Sequence, residues 1–283
     1  MKKIITLLLV LLTVLTLAGC GKKENGGGEA APAEDKTITV GVNPVPHAEI
    51  LENAVKAVLA KDGWDLNVVV YEDYVLPNEN LVAGELDANY FQTLGYMKGQ
   101  NESHGWKLTA VRGVHIEPMG LYSDKYTDPA DIPDGAYISV PNDEDNRTRA
   151  LEFLIAKGFL NPIEGELSAN TINGNAEANP HDYQIIELEA AQLPLALADV
   201  DASVINGNYA LGAKLPESYP ALLIEEFDEE TSIRRTNFIV VVEGNENSEK
   251  IQALVKAITS DEVSKYIQDT YKGAVITSFV EPE

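Results

Sequence analysis

The strongest constraint on the fold is a helix pattern enclosed by two strand patterns near the start of the folded region. The segment TITVGV at residues 37–42 alternates and is rich in β-branched residues, which predicts a strand. Residues 48–63 carry apolar side chains at helical spacing and end at Gly63, and LNVVVY at residues 66–71 has a second strand pattern. A helix between two strands is typical of a βαβ unit with parallel strands, so the sequence predicts an α/β fold.

The N-terminus has the pattern of a signal peptide. Lys2 and Lys3 precede a short apolar run, and this run ends in Leu-Ala-Gly-Cys at residues 17–20. The ending resembles the lipobox of bacterial lipoproteins, in which the cysteine is lipidated. We therefore interpret residues 1–20 as a lipoprotein signal peptide and Cys20 as the lipidation site. A plain transmembrane anchor is the alternative, but the run is short for a membrane span.

Composition limits the partners that the chain can have. Residues 21–36 are rich in glycine and charge, which is typical of a flexible tether. The formal net charge of −24 argues against binding to nucleic acid or to anionic lipid. Cys20 is the single cysteine, so an internal disulfide is excluded. The remaining residues are enough for one globular unit or two small lobes.

A candidate anion site follows the strand pattern at residues 136–140. A polar turn leads from this strand into a helix pattern at residues 147–158, and Arg147 and Arg149 lie in the first turn of that helix. Backbone N–H groups at a helix start favour negative charge, whereas a cation there is unfavourable unless a bound anion offsets its charge. The two arginines are therefore either solvated or recruited to bind an anion.

A second candidate site lies in the stretch from residue 187 to residue 210. A short helix pattern there precedes an apolar run at residues 202–205, which ends in Asn206-Gly207-Asn208. Ligands of open α/β sheets bind beyond the carboxyl ends of strands, and an asparagine offers both donors and an acceptor. Asn206 is therefore either a contact to a small polar ligand or part of a tight turn.

Catalytic and metal-binding signatures are missing from the sequence. The motifs of serine hydrolases, phosphate-binding loops, zinc proteases and dinucleotide-binding folds are all absent. The histidines are scattered at residues 47, 104, 115 and 181, so we expect no metal site and no cofactor. An exported, tethered, two-lobed protein without catalytic groups favours a solute-binding protein that closes on a small molecule. A tethered enzyme and an adhesion lipoprotein are the competing classes.

Several stretches of the chain resemble one known family. The chain is similar to the methionine-binding lipoproteins of bacterial ABC importers (the NlpA type). The resemblance spans nearly the whole mature chain, in order, and rests on these stretches: VPHAEILE, DYVLPN, GELDANYFQ, HIEPMGLYS, PND with RALEFL, ELEAAQLP with DVDASVINGNYA, and SDEV with YKGAVI. It implies a type II periplasmic-binding-protein fold with a ligand cleft between two lobes. It also implies a partner permease and ATPase, and a protein anchored outside the cytoplasm by lipid.

The resemblance also implies roles for individual residues. Arg149 matches the arginine that holds the ligand carboxylate, where the guanidinium can pair in bidentate fashion. Asn206 and Asn146 match polar contacts at the amino-acid end of the ligand. Tyr74 and Phe91 match aromatic residues around the ligand side chain, although both could instead be ordinary core aromatics.

The chain departs from the family pattern at two places. Thr93 stands where the family usually has histidine, which could admit a longer ligand such as a methionine-containing dipeptide. Residues 233–236 are more basic than usual and would alter closure if they lay by the hinge. We expect lobe 1 to comprise residues 37–124 and 236–283, and lobe 2 to comprise residues 125–235. The expected ligand is methionine, with a methionine-containing dipeptide or another apolar amino acid as alternatives.

Overall fold

A computed structural model describes residues 35–282 of the chain. The expected signal peptide, lipidated Cys20 and nearly all of the tether lie outside the described residues. Within the described range, no helix has both the length and the apolar character needed to cross a membrane.

Strands and helices alternate along most of the described chain. The strands are β1 (Thr37–Val42), β2 (Asp65–Val70), β3 (Ala88–Thr93), β4 (Leu108–Ile116), β5 (Gly120–Tyr122), β6 (Tyr137–Pro141), β7 (Gln184–Leu188), β8 (Ala202–Ile205), β9 (Leu223–Ile224), β10 (Thr236–Val242) and β11 (Ile276–Thr277). The α-helices are α1 (Lys56–Lys61), α2 (Leu76–Val82), α3 (Leu94–His104), α4 (Glu144–Ala156), α5 (Ala169–Ile172), α6 (Leu193–Ala196), α7 (Gly207–Gly212), α8 (Leu215–Ser218), α9 (Glu229–Arg235), α10 (Glu249–Ile258) and α11 (Asp261–Tyr271). Two π-helical segments, Pro44–Ala48 and Leu51–Val55, precede α1, and single 3₁₀ turns occur at Pro129–Asp131 and Ala190–Gln192.

The first sheet has six strands in the order β11-β4-β10-β3-β1-β2. Strand β1 is parallel to both β2 and β3, which confirms the βαβ unit predicted from the sequence. Strand β10 returns from the far end of the chain and lies antiparallel between β3 and β4. The carboxyl ends of β1 and β3 and the start of β10 therefore lie at the same edge of this sheet.

The second sheet has five strands in the order β7-β6-β8-β5-β9. Strand β6 is parallel to β7 and β8, and β5 is antiparallel to β8 and β9. Because Gly120–Tyr122 pairs with β8, the chain leaves the first sheet between Ile116 and Gly120. This crossing comes a few residues before the lobe boundary expected at residue 124.

Each sheet has its own hydrophobic core, and we call each sheet with its packed helices a lobe. In the first lobe, helices α10 and α11 supply Leu254 and Ile267 to a core that contains Val40 of β1. In the second lobe, Leu151 of α4 packs with Val204 of β8. The connections after β4 and before β10 join the two cores, so the space between the lobes is bordered by these crossings.

Two helix starts differ from the boundaries predicted from the sequence. Helix α4 begins at Glu144 because the Asp143 side chain accepts a hydrogen bond from the Asn146 backbone N–H and caps the first turn. Asn206 is the N-cap residue of α7, so Asn206-Gly207 starts a helix instead of forming only a tight turn. Both starts place polar side chains at the edge of the second sheet that faces the first lobe.

Candidate ligand-binding site

The six residues proposed as ligand contacts come together at one cavity between the lobes. The cavity is small, with about 30 Å³ of space for a water-sized sphere. Its walls include all of the proposed residues, which are Tyr74, Phe91, Thr93, Asn146, Arg149 and Asn206. These residues come from three segments, 74–93, 146–149 and 206, and successive segments are more than 50 residues apart in the chain. Only the tertiary fold brings them together.

A chain of hydrogen-bonded polar side chains forms the second-lobe wall. The amide of Asn206 donates to Oδ1 of Asn146 at 2.7 Å, and the amide of Asn146 donates to the Asp143 carboxylate at 3.0 Å. Burial raises the pKa of Asp143, although its hydrogen bonds with Asn146 act in the opposite direction. Among the described residues, Oδ1 of Asn206 is buried without a hydrogen-bond partner. This wall therefore holds a fixed acceptor that its neighbours do not use.

Arg149 reaches the cavity from α4 but already has a carboxylate partner. Its Nε and Nη2 atoms donate to Glu225 at 3.0 and 2.5 Å, and Nη2 also donates to the Glu117 carbonyl at 2.8 Å. Burial acts against the charge of Arg149, but the pairing with Glu225 outweighs it and the pKa is raised. The bidentate pairing expected for a ligand carboxylate is thus made within the protein. The hydrogen bonds found for Arg149 among the described residues use Nε and Nη2.

The basic segment at residues 233–236 lies beside this ion pair. Arg235, at the end of α9, contacts Glu152 of α4 at 3.1 Å and Glu225 at 3.7 Å. Burial and the nearby Arg149 lower the pKa of Arg235. Glu225 is therefore shared by two arginines, and the segment joins α4 to the second crossing between the lobes. The segment therefore lies at one of the two crossings between the lobes, which is the position for which the sequence analysis considered an effect on closure.

Aromatic side chains form the wall opposite the polar chain. The Tyr74 ring lies 5.8 Å from Phe91, 5.8 Å from Tyr96 and 5.0 Å from Tyr209, measured between ring centroids. The Tyr74 hydroxyl donates to Oδ1 of Asn208 at 2.6 Å across the cleft. Such a cluster offers apolar ring faces and edges, which suit an apolar or sulfur-containing side chain.

Thr93 connects the lobes at the edge of the cavity. Its side chain accepts a hydrogen bond from the Tyr96 N–H and so caps α3, and its hydroxyl donates to Asp145 of α4 at 3.1 Å. Gly95 is packed against the same carboxylate, because a Cβ built at Gly95 would lie 2.1 Å from Oδ1 of Asp145. The described conformation is therefore one in which α3 and α4 are in close contact across the cleft.

The sequence interpretation missed several residues that line the cavity. These are Gln92, Tyr96, Glu117, Gly207, Asn208 and Asn237. Glu117 lies in the crossing after β4, and Asn237 lies at the start of β10, where the second crossing enters the first sheet. Glu117 belongs to the quoted stretch HIEPMGLYS, so that motif was the available signal for it. No local pattern marks Asn237, which reaches the site through antiparallel pairing of β10.

Glu117 is supported by two buried histidines that do not line the cavity themselves. Nε2 of His115 lies 2.5 Å from Oε1 of Glu117, and Nε2 of His47 lies 3.4 Å from the same oxygen. The Tyr90 hydroxyl is hydrogen-bonded to Nδ1 of His115. His47 also contacts Oδ1 of Asn237 at 3.1 Å. The crossing residue Glu117 is therefore anchored to three elements of the first lobe.

The same cluster has side chains of metal-ligating types. In residues 35–282, His47, His115 and Glu117 bring ligand-type atoms within 4.8 Å of one another. Nε2 of His115 and Oε1 of Glu117 are hydrogen-bonded to each other. Both are atoms that would have to ligate the ion, so binding a metal would require breaking this hydrogen bond. We therefore interpret the cluster as a hydrogen-bond network.

The two histidines make a testable contribution to the pH dependence of stability. Burial lowers the pKa of His47 from its usual 6.5 to about 4 and that of His115 to about 3. Below pH 6.5 these two histidines are therefore protonated in the unfolded chain and remain neutral in the folded protein. Their contribution is complete above pH 6.5 and is lost as the pH falls towards 4. We expect the free energy of unfolding in urea to drop by about 2 kcal/mol for each histidine, and so by about 4 kcal/mol from this cause, between pH 7 and pH 5.

The variant His47→Gln should show a shallower pH dependence than the parent chain, and His104→Gln, in an exposed position on α3, should not. Burial raises the pKa of Glu117, which acts with the opposite sign. The comparison between variant and parent is therefore the test. Equal slopes for His47→Gln and the parent would contradict the interpretation.

The fold and the cavity define the class of protein. Two α/β lobes, two crossing segments and a polar and aromatic cleft between them form the architecture of periplasmic substrate-binding proteins. The chain belongs to the NlpA lipoprotein family, whose family model matches residues 38–279. The family and the fold implied by the sequence resemblance are thereby confirmed.

Named relatives and solved structures agree with this membership. The chain is 34% identical over 268 residues to the D-methionine-binding lipoprotein MetQ of Escherichia coli (strain K12), covering 94% of each chain. It is similar to the structure of a nutrient-binding protein from Burkholderia cenocepacia bound to methionine, with 35% identity and a TM-score of 0.76, over 86% of this chain and 100% of the other. It is also similar to the substrate-binding protein of a methionine transporter from Streptococcus pneumoniae, with 30% identity and a TM-score of 0.78, over 86% and 96% of the two chains.

Proposed function

We propose that this chain is the extracytoplasmic, lipid-anchored substrate-binding protein of an ABC importer. It binds methionine between its two lobes and delivers it to a permease and ATPase complex. In this proposal the protein has no catalytic activity, Cys20 carries the lipid, and the tether at residues 21–36 leaves the folded part free to reach the permease.

One observation carries the proposal. A single cavity between two lobes combines an arginine, a set of side-chain amides and an aromatic cluster. An amino acid with an apolar side chain needs all three, because its charged end requires polar partners and its side chain requires apolar surface. Among such amino acids we propose methionine, because relatives of the chain are named for methionine binding. Contacts between the methionine sulfur and the aromatic rings would add roughly 0.3–1.5 kcal/mol each.

Mass spectrometry of the small molecule released on denaturing the purified protein is the direct test. We expect intact methionine. Recovery of a methionine-containing dipeptide would support the alternative suggested by Thr93, a small residue at the cavity wall. Recovery of a chemically altered molecule, or of a different ligand class, would contradict the proposal.

Asn206→Ala provides a test at the amino-acid end of the site. The substitution removes an acceptor that faces the cavity and the donor to Asn146, so we expect methionine affinity to fall by about 10-fold. Isothermal titration calorimetry measures the affinity, and thermal melting monitors folding. Asn161→Ala is a suitable control because Asn161 bonds to the Glu177 carbonyl, away from the cavity. Unchanged binding by Asn206→Ala would exclude Asn206 as a contact.

A further inference from the structure

Helices α3 and α4 belong to different lobes and meet at a short contact beside the cavity. The Thr93 hydroxyl, at the start of α3, donates a hydrogen bond at 3.1 Å to Oδ2 of Asp145 in the first turn of α4. Gly95 lies against the same carboxylate. Neither Gly95 nor Asp145 lines the cavity, so this contact joins the lobes without facing a ligand.

The surroundings of Gly95 show how closely the two helices approach each other. A Cβ built on Gly95 would lie 2.1 Å from Oδ1 and 2.8 Å from Cγ of Asp145, which is well inside van der Waals contact. Gly95 lies within α3 and does not have a positive φ, so its backbone conformation does not require glycine. The close approach of the Asp145 carboxylate does require it. A larger residue at position 95 would push that carboxylate away from the Thr93 hydroxyl.

Asp145 is held in place by its own lobe. It lies four residues before Arg149, so the two side chains share one face of α4. Its carboxylate is close enough to interact with the charges of Arg149 and Arg235. A carboxylate beside cations can lie between two lobes at little cost, and a hydrogen bond to a charged group is stronger than one between neutral groups. The bond from Thr93 to Asp145 therefore stabilises the arrangement in which the lobes are close together.

We propose that Thr93, Gly95 and Asp145 form a latch between the lobes, which stabilises the closed protein and selects ligands short enough to let α3 and α4 meet. This inference rests on the proposed function, since it concerns closure on the same ligand. With the latch formed, the cavity has about 30 Å³ of space for a water-sized sphere. A longer ligand, such as a methionine-containing dipeptide, holds the helices apart and gains nothing from the latch. Gly95 and Asp145 are positioning residues, because they act on the ligand only through closure.

Gly95→Ala tests the latch, because it keeps every polar group and its added methyl group meets only the Asp145 side chain. Alanine favours a helix over glycine, so the melting temperature should stay the same or rise. Methionine affinity, measured by calorimetry, should nevertheless fall about 10-fold, which corresponds to the loss of one hydrogen bond to a charged group. The loss should appear mainly as faster dissociation in a chase of radiolabelled methionine. General damage to packing would instead lower affinity and melting temperature together.

Two comparisons identify the contact that is responsible. Gly99→Ala makes the same change in α3 at a position where a Cβ meets no heavy atom within 4 Å, so methionine affinity should stay within about 2-fold of the parent. Asp145→Ala removes the carboxylate that the new methyl group would meet. Adding Gly95→Ala to Asp145→Ala should therefore change the affinity by less than about 2-fold, since the two substitutions act on the same contact.

Glycylmethionine tests the selection by length. The parent chain should bind this dipeptide more weakly than methionine, because the dipeptide cannot use the latch. Gly95→Ala should change the affinity for the dipeptide by less than about 2-fold, so the preference for methionine should shrink about 10-fold. Thr93 then acts against the longer ligand, although a small residue at this position suggested in the sequence that such a ligand could enter.

The outcomes separate this inference from the proposed function. If methionine binds to Gly95→Ala as tightly as to the parent, or if Gly95→Ala weakens binding equally with and without Asp145, the latch is wrong and the function stands. Equal losses for methionine and glycylmethionine, or a parent chain that prefers the dipeptide, would overturn the selection by length. If another α-amino acid binds in place of methionine, the proposed ligand is wrong, and the same variants titrated with that amino acid test the latch. Failure to bind any α-amino acid would overturn both.

Discussion

Arg149→Ala is expected to lower methionine affinity by at least about 100-fold, because a charge-assisted hydrogen bond in a desolvated cleft is worth about 1.5–3 kcal/mol and the cavity also loses its cation. The substitution has a second effect on the protein itself. Glu225 loses its bidentate partner and keeps the Met119 backbone N–H at 3.0 Å and Arg235 at 3.7 Å. Breaking a buried ion pair from one side costs about 3–5 kcal/mol, so a lower melting temperature is expected as well.

The design must separate these two effects. Arg149→Lys keeps the charge but loses the planar fork, so it should bind more tightly than Arg149→Ala and still more weakly than the parent. Arg147→Ala is the matched control from the same helix. Its guanidinium pairs with Glu166 at 2.7 Å and with Glu187 at 3.5 Å, and it does not line the cavity. Methionine titrations should be made at a temperature where circular dichroism shows each variant to be folded, so that lost affinity is measured separately from lost stability. Binding by Arg149→Ala within about 3-fold of the parent would refute the carboxylate role, since that ratio is less than one hydrogen bond.

Gly207→Ala is expected to weaken binding by about 10-fold or more and to destabilise the protein by about 1–3 kcal/mol, because overpacking at this site forces the backbone to shift. A Cβ at Gly207 would lie 2.7 Å from Cβ of Glu117 and 2.9 Å from the Pro118 carbonyl oxygen. The start of α7 would therefore move away from the crossing segment. Asn206 and Asn208, which flank Gly207, would move with it and leave their positions at the cavity.

Gly212→Ala is the control at the other end of α7. A Cβ there meets no heavy atom within 4 Å, so the substitution should be neutral or should stabilise the helix by up to about 1 kcal/mol. Methionine affinity should stay within the error of calorimetry. The two variants thus make the same chemical change in one helix, and only Gly207→Ala is expected to destabilise the protein. Destabilisation of both variants to the same degree would show that contact with the crossing segment is not the cause.

Much of the fold was available from local sequence patterns. The strand predicted at residues 202–205 and the parallel pairing of β1 with β2 are both present. These elements depend on apolar periodicity and on β-branched composition, which are properties of neighbouring residues. The short elements between residues 211 and 230 were not predicted. Two-residue and four-residue elements such as β9 and α8 form by pairing or packing with distant segments, and they have almost no periodicity of their own.

The candidate site was predicted from the resemblance more than from local physics. Thr93 was chosen because it departs from the family pattern, and the structure adds its contact with Asp145 across the cleft. The bidentate partner of Arg149 was expected to be a ligand, whereas the structure supplies Glu225, 76 residues away in the chain. Sequence spacing carries no information on such a pairing, because it depends on where β9 brings the following residues.

The sequence by itself determined the class of fold, the presence of a lipobox-like ending at Cys20, and the side-chain types available for a polar and aromatic cleft. Those features can be recognised from composition, from short-range periodicity and from motifs. Only the tertiary structure decided which of these side chains meet. It placed Glu117 and Asn237 at the cavity, buried His47 and His115 behind Glu117, and gave Glu225 to Arg149. The physical reason is that charge pairing, burial and hydrogen bonding depend on distances through space, and the two crossings between the lobes bring together residues that are far apart in the chain.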